Sequence, residues 1–451
     1  MNKRVPKLVQ QSFLLLSVRW LLVILNIATS VLLSRVLGPD GKGILAVLGS
    51  FATITSIIVG FGLPTAALYL HKQDRASIGT LIGTSIVFWF VLTTLLGAGI
   101  ALQYDRFVSL FLQELTDKSL QPVWLWLSLA SVPGLVLASM LSILLVVDGR
   151  SKLFVGWSIG SQLMGLVLTW LLVMVLDWGV TGALIASLAV QITPILVALY
   201  WLLSIMRLRQ LGASWHLFRS MLGIGFQQHL VTVFANLFKR GENFLIATLL
   251  NITSVGYYAI SFGLYELIID IPRSFVWPTV AKYAQQSDED RAELAAKHIR
   301  LQVGFIIAPI LAMMVIGPKL IPLTYGAAFA PAVMPFLCLL PGAIFRTIHL
   351  GVSSYFIGTG RPGIMLPSVI VAAVVSLGLD VIVLPVYGLV GAAVTTVLAE
   401  ACMATFSLVL FNRATKARYR DVLIPRHSEI IELAQMFMQI NKMQKQKQAA
   451  L

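Results

Sequence analysis

Charge is scarce in this chain: 12% of its 451 residues are Asp, Glu, Lys or Arg, against 58% hydrophobic residues and a mean hydropathy of +0.88. A water-facing domain carries about 25% charged residues, so an ordinary soluble fold is excluded. Cysteine is nearly absent. Cys338 and Cys402 both fall in apolar runs, which excludes a disulfide framework. The six His and two Cys show no metal-ligand spacing. No motif pairs a nucleophile with a base. Gly38 to Gly43 lacks both the spacing of a phosphate loop and the strand that precedes one. Asp288-Glu289-Asp290 resembles an acidic metal motif, but it sits in a mixed-charge stretch with no nucleotide-binding domain around it. These absences point away from an enzyme and from a bound cofactor.

What the chain has is long apolar runs. A bilayer core needs about 20 such residues per helix, and about twelve spans meet that length. The first six run Leu8 to Leu33, Gly43 to Tyr69, Ile78 to Leu102, Val123 to Val147, Leu153 to Leu176 and Val180 to Met206. The second six run Leu222 to Leu249, Val255 to Val276, Leu301 to Ile316, Val333 to Ile357, Ile364 to Val383 and Gly388 to Leu410. Continuous runs indicate helices, since a membrane barrel alternates polar and apolar residues. The first span is too long for a signal-peptide core and has no small-residue cleavage pattern after it, so it is expected to stay in the membrane.

The excess of 33 Lys and Arg over 19 Asp and Glu gives a net charge of +14. It suggests nucleic acid until the positions are sorted. With the N-terminus inside, 23 basic residues fall in inside segments, five in outside loops and five within spans. That bias is the positive-inside rule, with both termini cytoplasmic. The basic balance is topology, and no nucleic-acid partner is expected.

The chain also repeats itself. Leu37-Gly38-Pro39-Asp40-Gly41-Lys42-Gly43-Ile44 returns, shifted by 213 residues, as Leu250-Asn251-Ile252-Thr253-Ser254-Val255-Gly256-Tyr257. Asp148-Gly149-Arg150 returns as Thr359-Gly360-Arg361, and Trp178-Gly179-Val180 as Tyr387-Gly388-Leu389. The expected organisation is an N-terminal six-helix bundle (1–206), a basic linker (207–218), a second bundle (219–412) and a basic tail (413–451). Ser428 to Lys447 reads as a weakly amphipathic helix or as a solvated tail. A duplicated bundle in lipid usually transports, with its site between the halves.

A charge at a helix centre costs about 2.5–3.5 kcal/mol on insertion scales, so the charges within spans need a reason. The basic ones are Arg19, Lys239, Arg240, Arg273 and Arg346, and the acidic ones Glu242, Glu266, Asp270, Asp380 and Glu400. Helical spacing gathers them into polar stripes: Ser12, Arg19, Asn26 and Ser30 on the first span; His229, Thr232, Asn236, Arg240 and Asn243 on the seventh; Arg346, His349 and Ser353 on the tenth. The first and seventh spans hold equivalent places in the repeat, so their stripes are expected to face each other. A cavity lined by Arg19, Asn26, Asn236, Arg240, Asn243, Arg346 and His349 would be cationic and suit a phosphate or pyrophosphate. The alternative is internal pairing. Arg273 stands i,i+3 from Asp270, and Lys239 i,i+3 from Glu242. Glu242, Glu266, Asp270, Asp380 and Glu400 are either proton or Na⁺ sites coupling transport to an ion gradient or counter-ions to the arginines.

At these residues a resemblance emerges. Leu33-Ser34-Arg35-Val36-Leu37-Gly38-Pro39-Asp40-Gly41-Lys42-Gly43 resembles the signature of polysaccharide repeat-unit (O-antigen) flippases, within the multidrug, oligosaccharidyl-lipid and polysaccharide exporter superfamily. Lys42 stands where that signature usually has an aromatic residue. Arg240-Gly241-Glu242, Val255-Gly256-Tyr257-Tyr258-Ala259, Tyr325-Gly326-Ala327-Ala328-Phe329 and Gly358-Thr359-Gly360-Arg361 also fit, so the similarity runs from about residue 5 to 412. The resemblance implies an all-α polytopic membrane protein of about 12 transmembrane helices, two six-helix bundles forming a V around a central cavity. It implies alternating access that carries a polyprenyl-pyrophosphate-linked glycan across the bacterial inner membrane, for O-antigen, capsule or exopolysaccharide. The implied partners are that glycan, membrane lipids and other polysaccharide-assembly proteins. Alternatives are a cation-coupled multidrug extrusion transporter of the same fold, a lipid II flippase, and a membrane polysaccharide polymerase or ligase. Drug exporters want carboxylates in the cavity, lipid II flippases usually carry additional helices, and polymerases present a large outside catalytic loop not seen here.

Overall fold

The computed structural model describes residues 7–62, 78–106, 109, 121–204, 212–283 and 286–423. The proposed linker's residues 207–211 and the tail helix at Ser428 to Lys447 lie outside them. Among the described residues every regular element is helical.

α1 (Lys7–Gly60) contains the first two spans, broken at Gly38, whose φ of 66° and ψ of −173° suit glycine alone. Pro39 then opens the second arm, where its fixed φ and missing N–H cost nothing. α2 (Ile78–Leu102) is the third span. α3 (Pro122–Ala130) and α4 (Val132–Val147) share the fourth. α5 (Ser151–Thr169) ends in a π-helical turn, and α6 (Gly179–Ser204) closes the first half. The second half follows the same order. α7 (Trp215–Leu249) leads into α8 (Ile252–Ser274), which α9 (Val276–Tyr283) extends. After α10 (Asp288–Tyr325), α11 (Val333–Leu339) and α12 (Gly342–Gly358) form one span bent by 54°. α13 (Leu366–Thr415), broken at Gly388, holds the last two spans, and α14 (Tyr419–Leu423) follows.

Side-chain caps set several helix starts. Ser214 caps α7 by accepting from Leu217 N, and Asn251 caps α8 by accepting from Ser254 N at 2.8 Å. Asn251 heads a formal glycosylation sequon, and here it has this local structural use. Ser287 caps α10, so residues 288–300, expected from the sequence as part of an inside loop with a short surface helix, are the first turns of that longer helix. The acidic Asp288-Glu289-Asp290 run opens it.

Eight of the described helices are long and apolar enough to cross a membrane unaided, and the bent α11–α12 pair makes a ninth. α1 and α13 each divide in two at their glycine breaks. α7, carrying Lys239, Arg240 and Glu242 within one turn, falls below that hydropathy and crosses because its polar face is covered by protein. The twelve crossings of the sequence are thereby accounted for.

The repeat is visible in the backbone itself. Gly149 and Gly360, equivalent positions, both have φ of 73°, while Gly179 and Gly388 have φ of 54° and 56°. More telling is where the halves meet. A Cβ added to Gly43 would lie 2.0 Å from Ile252 O, and one added to Gly256 would lie 2.0 Å from Pro39 O. The repeat offset of 213 relates Gly43 to Gly256 and Pro39 to Ile252. The same offset relates Asp40 to Thr253, and Thr253 Oγ1 donates to Asp40 Oδ1. An approximate two-fold axis therefore passes between the second arm of α1 and α8, whose backbones touch where no side chain intervenes. Arg35 closes the same end by donating from Nε to Thr324 O at 2.7 Å and from Nη2 to Leu323 O at 2.5 Å, satisfying free carbonyls at the end of α10. At the opposite end the halves meet again, with Phe61 stacked on His229 (ring centroids 4.6 Å apart) and Gly62 against Gly225 O.

The crossing carries a prediction. Cysteines at Asp40 and Thr253 should cross-link readily in the otherwise native chain. Adding Gly256→Val, whose side chain has no room beside Pro39 O, should abolish that cross-link. Unchanged cross-linking on a non-reducing gel would show that the halves do not depend on this contact.

Candidate functional site

The largest described cavity lies between the halves. It holds about 560 Å³ and is lined on one side by Leu33, Lys42, Leu45, Ala46 and Ser50 of α1. Asn236, Lys239, Arg240 and Asn243 of α7 line the other, with Phe262, Glu266 and Arg273 of α8. The stripe on α7 thus faces the first half. Asn243 Nδ2 donates to Ser50 Oγ at 2.7 Å, and His229 meets Phe61 below.

It does not face the stripe of the first span, as the sequence suggested. The two-fold axis runs through the second span and the eighth, so the first and seventh lie off it. Asn26 is exposed, donates to Leu22 O of its own helix and lines neither this cavity nor the smaller one described next. Arg19 reaches across to α8, where its Nη2 is 2.7 Å from Asp270 Oδ1.

That contact is one end of a network of ion pairs. Arg273 bonds Asp270 at 2.6 Å and Glu266 at 2.7 Å, and Lys239 bonds Glu266 at 3.0 Å. Arg346 stands 3.7 Å from Glu266 and 3.8 Å from Glu400, with its guanidinium 5.3 Å from the ring centre of Phe238. Tyr265 OH donates to Glu400 Oε2. The i,i+3 pairing of Arg273 with Asp270 is present. That of Lys239 with Glu242 is not, because Lys239 turns to Glu266 on the neighbouring helix while Glu242 is buried elsewhere.

Arg346 and His349 line a second, smaller cavity of about 180 Å³ inside the second half, with Lys239 and Arg273 on its rim. His349 Nδ1 is 2.9 Å from Ser407 Oγ. Lys239 and Arg273 therefore border both spaces, while Arg346 borders only the inner one.

With those pairs made, the charge left in the large cavity is specific. Among the described residues, neither Lys42 nor Arg240 has a carboxylate within ion-pair distance. Lys42 Nζ donates to Ser30 Oγ at 2.9 Å. Glu266 is the one carboxylate of the lining, and Lys239 and Arg273 already bind it. The large cavity is thus a cationic chamber with two positive groups outside the ion pairs and with the amides of Asn236 and Asn243 on the same lining. Lys42 carried a signal in the sequence, an ammonium where an aromatic is usual, but its partner cavity was invisible there.

A separate acidic centre lies within the second half. Glu242 is fully buried, and its Oε1 accepts from Ser376 Oγ and Thr396 Oγ1, both at 2.6 Å, while Oε2 accepts from Tyr258 OH at 2.5 Å. Asp380 is also fully buried. Its Oδ1 accepts from Thr395 Oγ1, and among the described residues its Oδ2 has no hydrogen-bond partner. No cation of the ion-pair network touches either group.

A helical chain with these crossings and a charged chamber between two repeats has the architecture of a multi-pass membrane transporter. The solved structures it resembles are of that kind. A multidrug resistance transporter of the MATE family in an inward-facing conformation matches with a TM-score of 0.72 at 16% identity, covering 88% of this chain and 96% of that one. The lipid II flippase MurJ, inward closed, matches with a TM-score of 0.69 at 14% identity, covering 95% and 93%. At such identities the likeness is one of fold. The chain itself belongs to the polysaccharide biosynthesis protein family, whose sequence pattern matches residues 32–334. A probable low-salt glycan biosynthesis flippase, Agl15 of Haloferax volcanii, is 22% identical over 129 residues, which span 28% of this chain and 27% of that protein.

The network makes Arg346 a structural counter-charge for two carboxylates. Arg346→Met should lower stability by about 3 kcal/mol or more, the usual loss when one partner of a buried pair is removed. Adding Glu400→Gln should restore much of it. Thermal unfolding in detergent would decide, and an Arg346→Met variant as stable as the parent would exclude the role.

Proposed function

We propose that this protein is a flippase that moves a polyprenyl-pyrophosphate-linked oligosaccharide from the inner to the outer leaflet of a bacterial cytoplasmic membrane, for polysaccharide assembly. The observation that carries the reading is the pair of unpaired cations, Lys42 and Arg240, in the chamber between the halves. A polar headgroup crossing a bilayer core must exchange its water for protein groups, or the crossing costs many kcal/mol. A pyrophosphate finds there an ammonium, a guanidinium with planar donors, and two side-chain amides. Its polyprenyl tail needs no site, because it remains in lipid.

The chamber has protein contacts at both ends, and the halves are related by a two-fold axis. That arrangement suits alternating access, in which one end parts while the other holds. The Gly43–Gly256 crossing closes one end and Phe61–His229 the other. Arg19–Asp270 is a further tie between the halves. With both termini cytoplasmic, the Gly38 end is the outer one.

The acidic centre supplies a candidate for coupling. Glu242 and Asp380 offer carboxylate oxygens among the hydroxyls of Ser376, Thr395 and Thr396, with one oxygen of Asp380 unused. Such a set suits Na⁺ or a proton. Glu266, Asp270 and Glu400 serve instead as counter-ions to the arginines. Extrusion of an organic cation is the competing reading, and it is disfavoured because the chamber's carboxylate is already neutralised.

The test is flipping of a labelled polyprenyl-pyrophosphate oligosaccharide in proteoliposomes. Lys42→Ala and Arg240→Ala should each slow flipping about tenfold or more, as the loss of one charge-assisted contact implies. Arg240→Lys should retain part of the rate, and both proteins should remain folded. Full activity in well-folded Lys42→Ala/Arg240→Ala protein would overturn the anion seat. Uptake of ethidium under an ion gradient, with no lipid flipped, would favour drug export. Asp380→Asn should abolish any dependence of the rate on a Na⁺ or proton gradient while leaving downhill exchange measurable.

A further inference from the structure

The two halves differ sharply in the polar groups they bury. In the second half the buried polar side chains include Glu242, Arg300, Arg346, Asp380 and Glu400. In the first half, among the described residues, they are hydroxyls: Ser34, Ser50, Thr55, Ser56, Thr84, Ser85, Ser128, Ser131 and Thr169. Equivalent bundles built on one repeat thus present opposite chemistries, one ionic and one neutral.

The neutral half also contains a cavity. It holds about 250 Å³, far above the roughly 10–15 Å³ that admits one water. Leu33 and Leu45 line both this space and the cationic chamber, so the two adjoin along α1. Among the described residues, no charged one lines it. Its polar groups are Thr53 on α1, Ser128 on α3, Ser131 beside it, and Ser187 and Gln191 on α6.

The bonding state of these groups favours a polyhydroxylated guest. Thr53, Ser128 and Ser131 spend their protons on backbone carbonyls, of Gly49, Leu48 and Ser128 respectively. Their oxygens are left as acceptors. Among the described residues, Gln191 and Ser187 have no protein partner for their side chains and can donate as well as accept. A sugar ring presents hydroxyls that do both. A phosphate, which only accepts, would find few donors here and no counter-charge.

We propose that this cavity is a subsite for a sugar ring of the transported glycan, adjoining the anion seat, so that the substrate lies with its pyrophosphate toward the second half and its glycan toward the first. The subsite rests on the flippase reading, and the experiment separates the two.

Gly49 makes the test clean. It faces the cavity on a regular helix, and a Cβ there meets no atom within 4 Å. Gly49→Leu should therefore fill the space without disturbing the fold. Two probes are compared on the purified full-length protein: a polyprenyl-pyrophosphate bearing one hexose or one N-acetylhexosamine, and the bare polyprenyl-pyrophosphate. In the parent protein at least one sugar-bearing lipid should bind about tenfold tighter than the bare lipid, the worth of one or two added hydrogen bonds. In Gly49→Leu that difference should vanish while the bare lipid binds as before. A Ser187→Cys reporter should be shielded from a maleimide by the sugar-bearing lipid and not by the bare one.

Equal binding of sugar-bearing and bare lipids by the parent protein, or a sugar preference that survives Gly49→Leu, would overturn the subsite. So would shielding of Ser187→Cys by both lipids alike. Failure of the anion seat reads differently, because Lys42→Ala/Arg240→Ala would then leave affinity for the bare lipid unchanged.

Discussion

Ionised groups in a bilayer are tolerable only when each has its answer close by, and most of the polar architecture here follows from that demand. Four cations, Arg19, Lys239, Arg273 and Arg346, share three carboxylates, Asp270, Glu266 and Glu400. The sharing links α1, α7, α8, α12 and α13 into one electrostatic unit. It also determines what remains available. Because the carboxylate of the chamber is already engaged by Lys239 and Arg273, Lys42 and Arg240 stand out, among the described residues, as positive groups without an ion pair of their own. The proposed anion seat is what an incomplete neutralisation leaves, and each acid placed within reach would weaken it.

The acidic centre at Glu242 and Asp380 obeys the same demand by other means. Hydroxyls from α8 and both arms of α13 surround the carboxylates, and no cation does. A buried acid satisfied only by neutral donors is sensitive to any small cation or proton that can enter, whereas one held by an arginine is not. The second half therefore contains two kinds of carboxylate a few helical turns apart. One kind is held by fixed charge and the other by hydroxyls alone.

Much of the architecture could be read in the order of residues. The spans followed from run length, and the duplication from glycines such as Gly149 and Gly360, because a positive φ restricts the residue type wherever it recurs. Arg273 with Asp270 was legible because one helix turn separates them. The pairing of Arg19 with Asp270 was not, since 251 residues intervene and no periodicity links separate helices. The placement of the stripes went astray for a related reason. Duplication says which helices correspond, but the axis decides which of them touch, and it runs through Gly43 and Gly256 rather than through the first and seventh spans. The short surface helix expected in the mixed-charge loop is instead the first turns of α10, because Ser287 caps a start that runs unbroken into the ninth span.

The Gly43–Gly256 crossing pairs each half with the other through the same positions in both, Pro39 with Gly256 and Ile252 with Gly43, Asp40 with Thr253. An isologous contact of this kind is used up once it forms. It leaves no copy of the patch exposed to recruit a third bundle, so this surface cannot propagate into a larger ring or filament. The covalent link between the halves then does for the pair what concentration does for a homodimer: each patch always has its one partner at hand. This contact makes no use of the buried charged groups, so the interiors of the two halves can differ while it stays the same. Among the described residues, one bundle has buried ions while the fully buried polar side chains of the other are all hydroxyls.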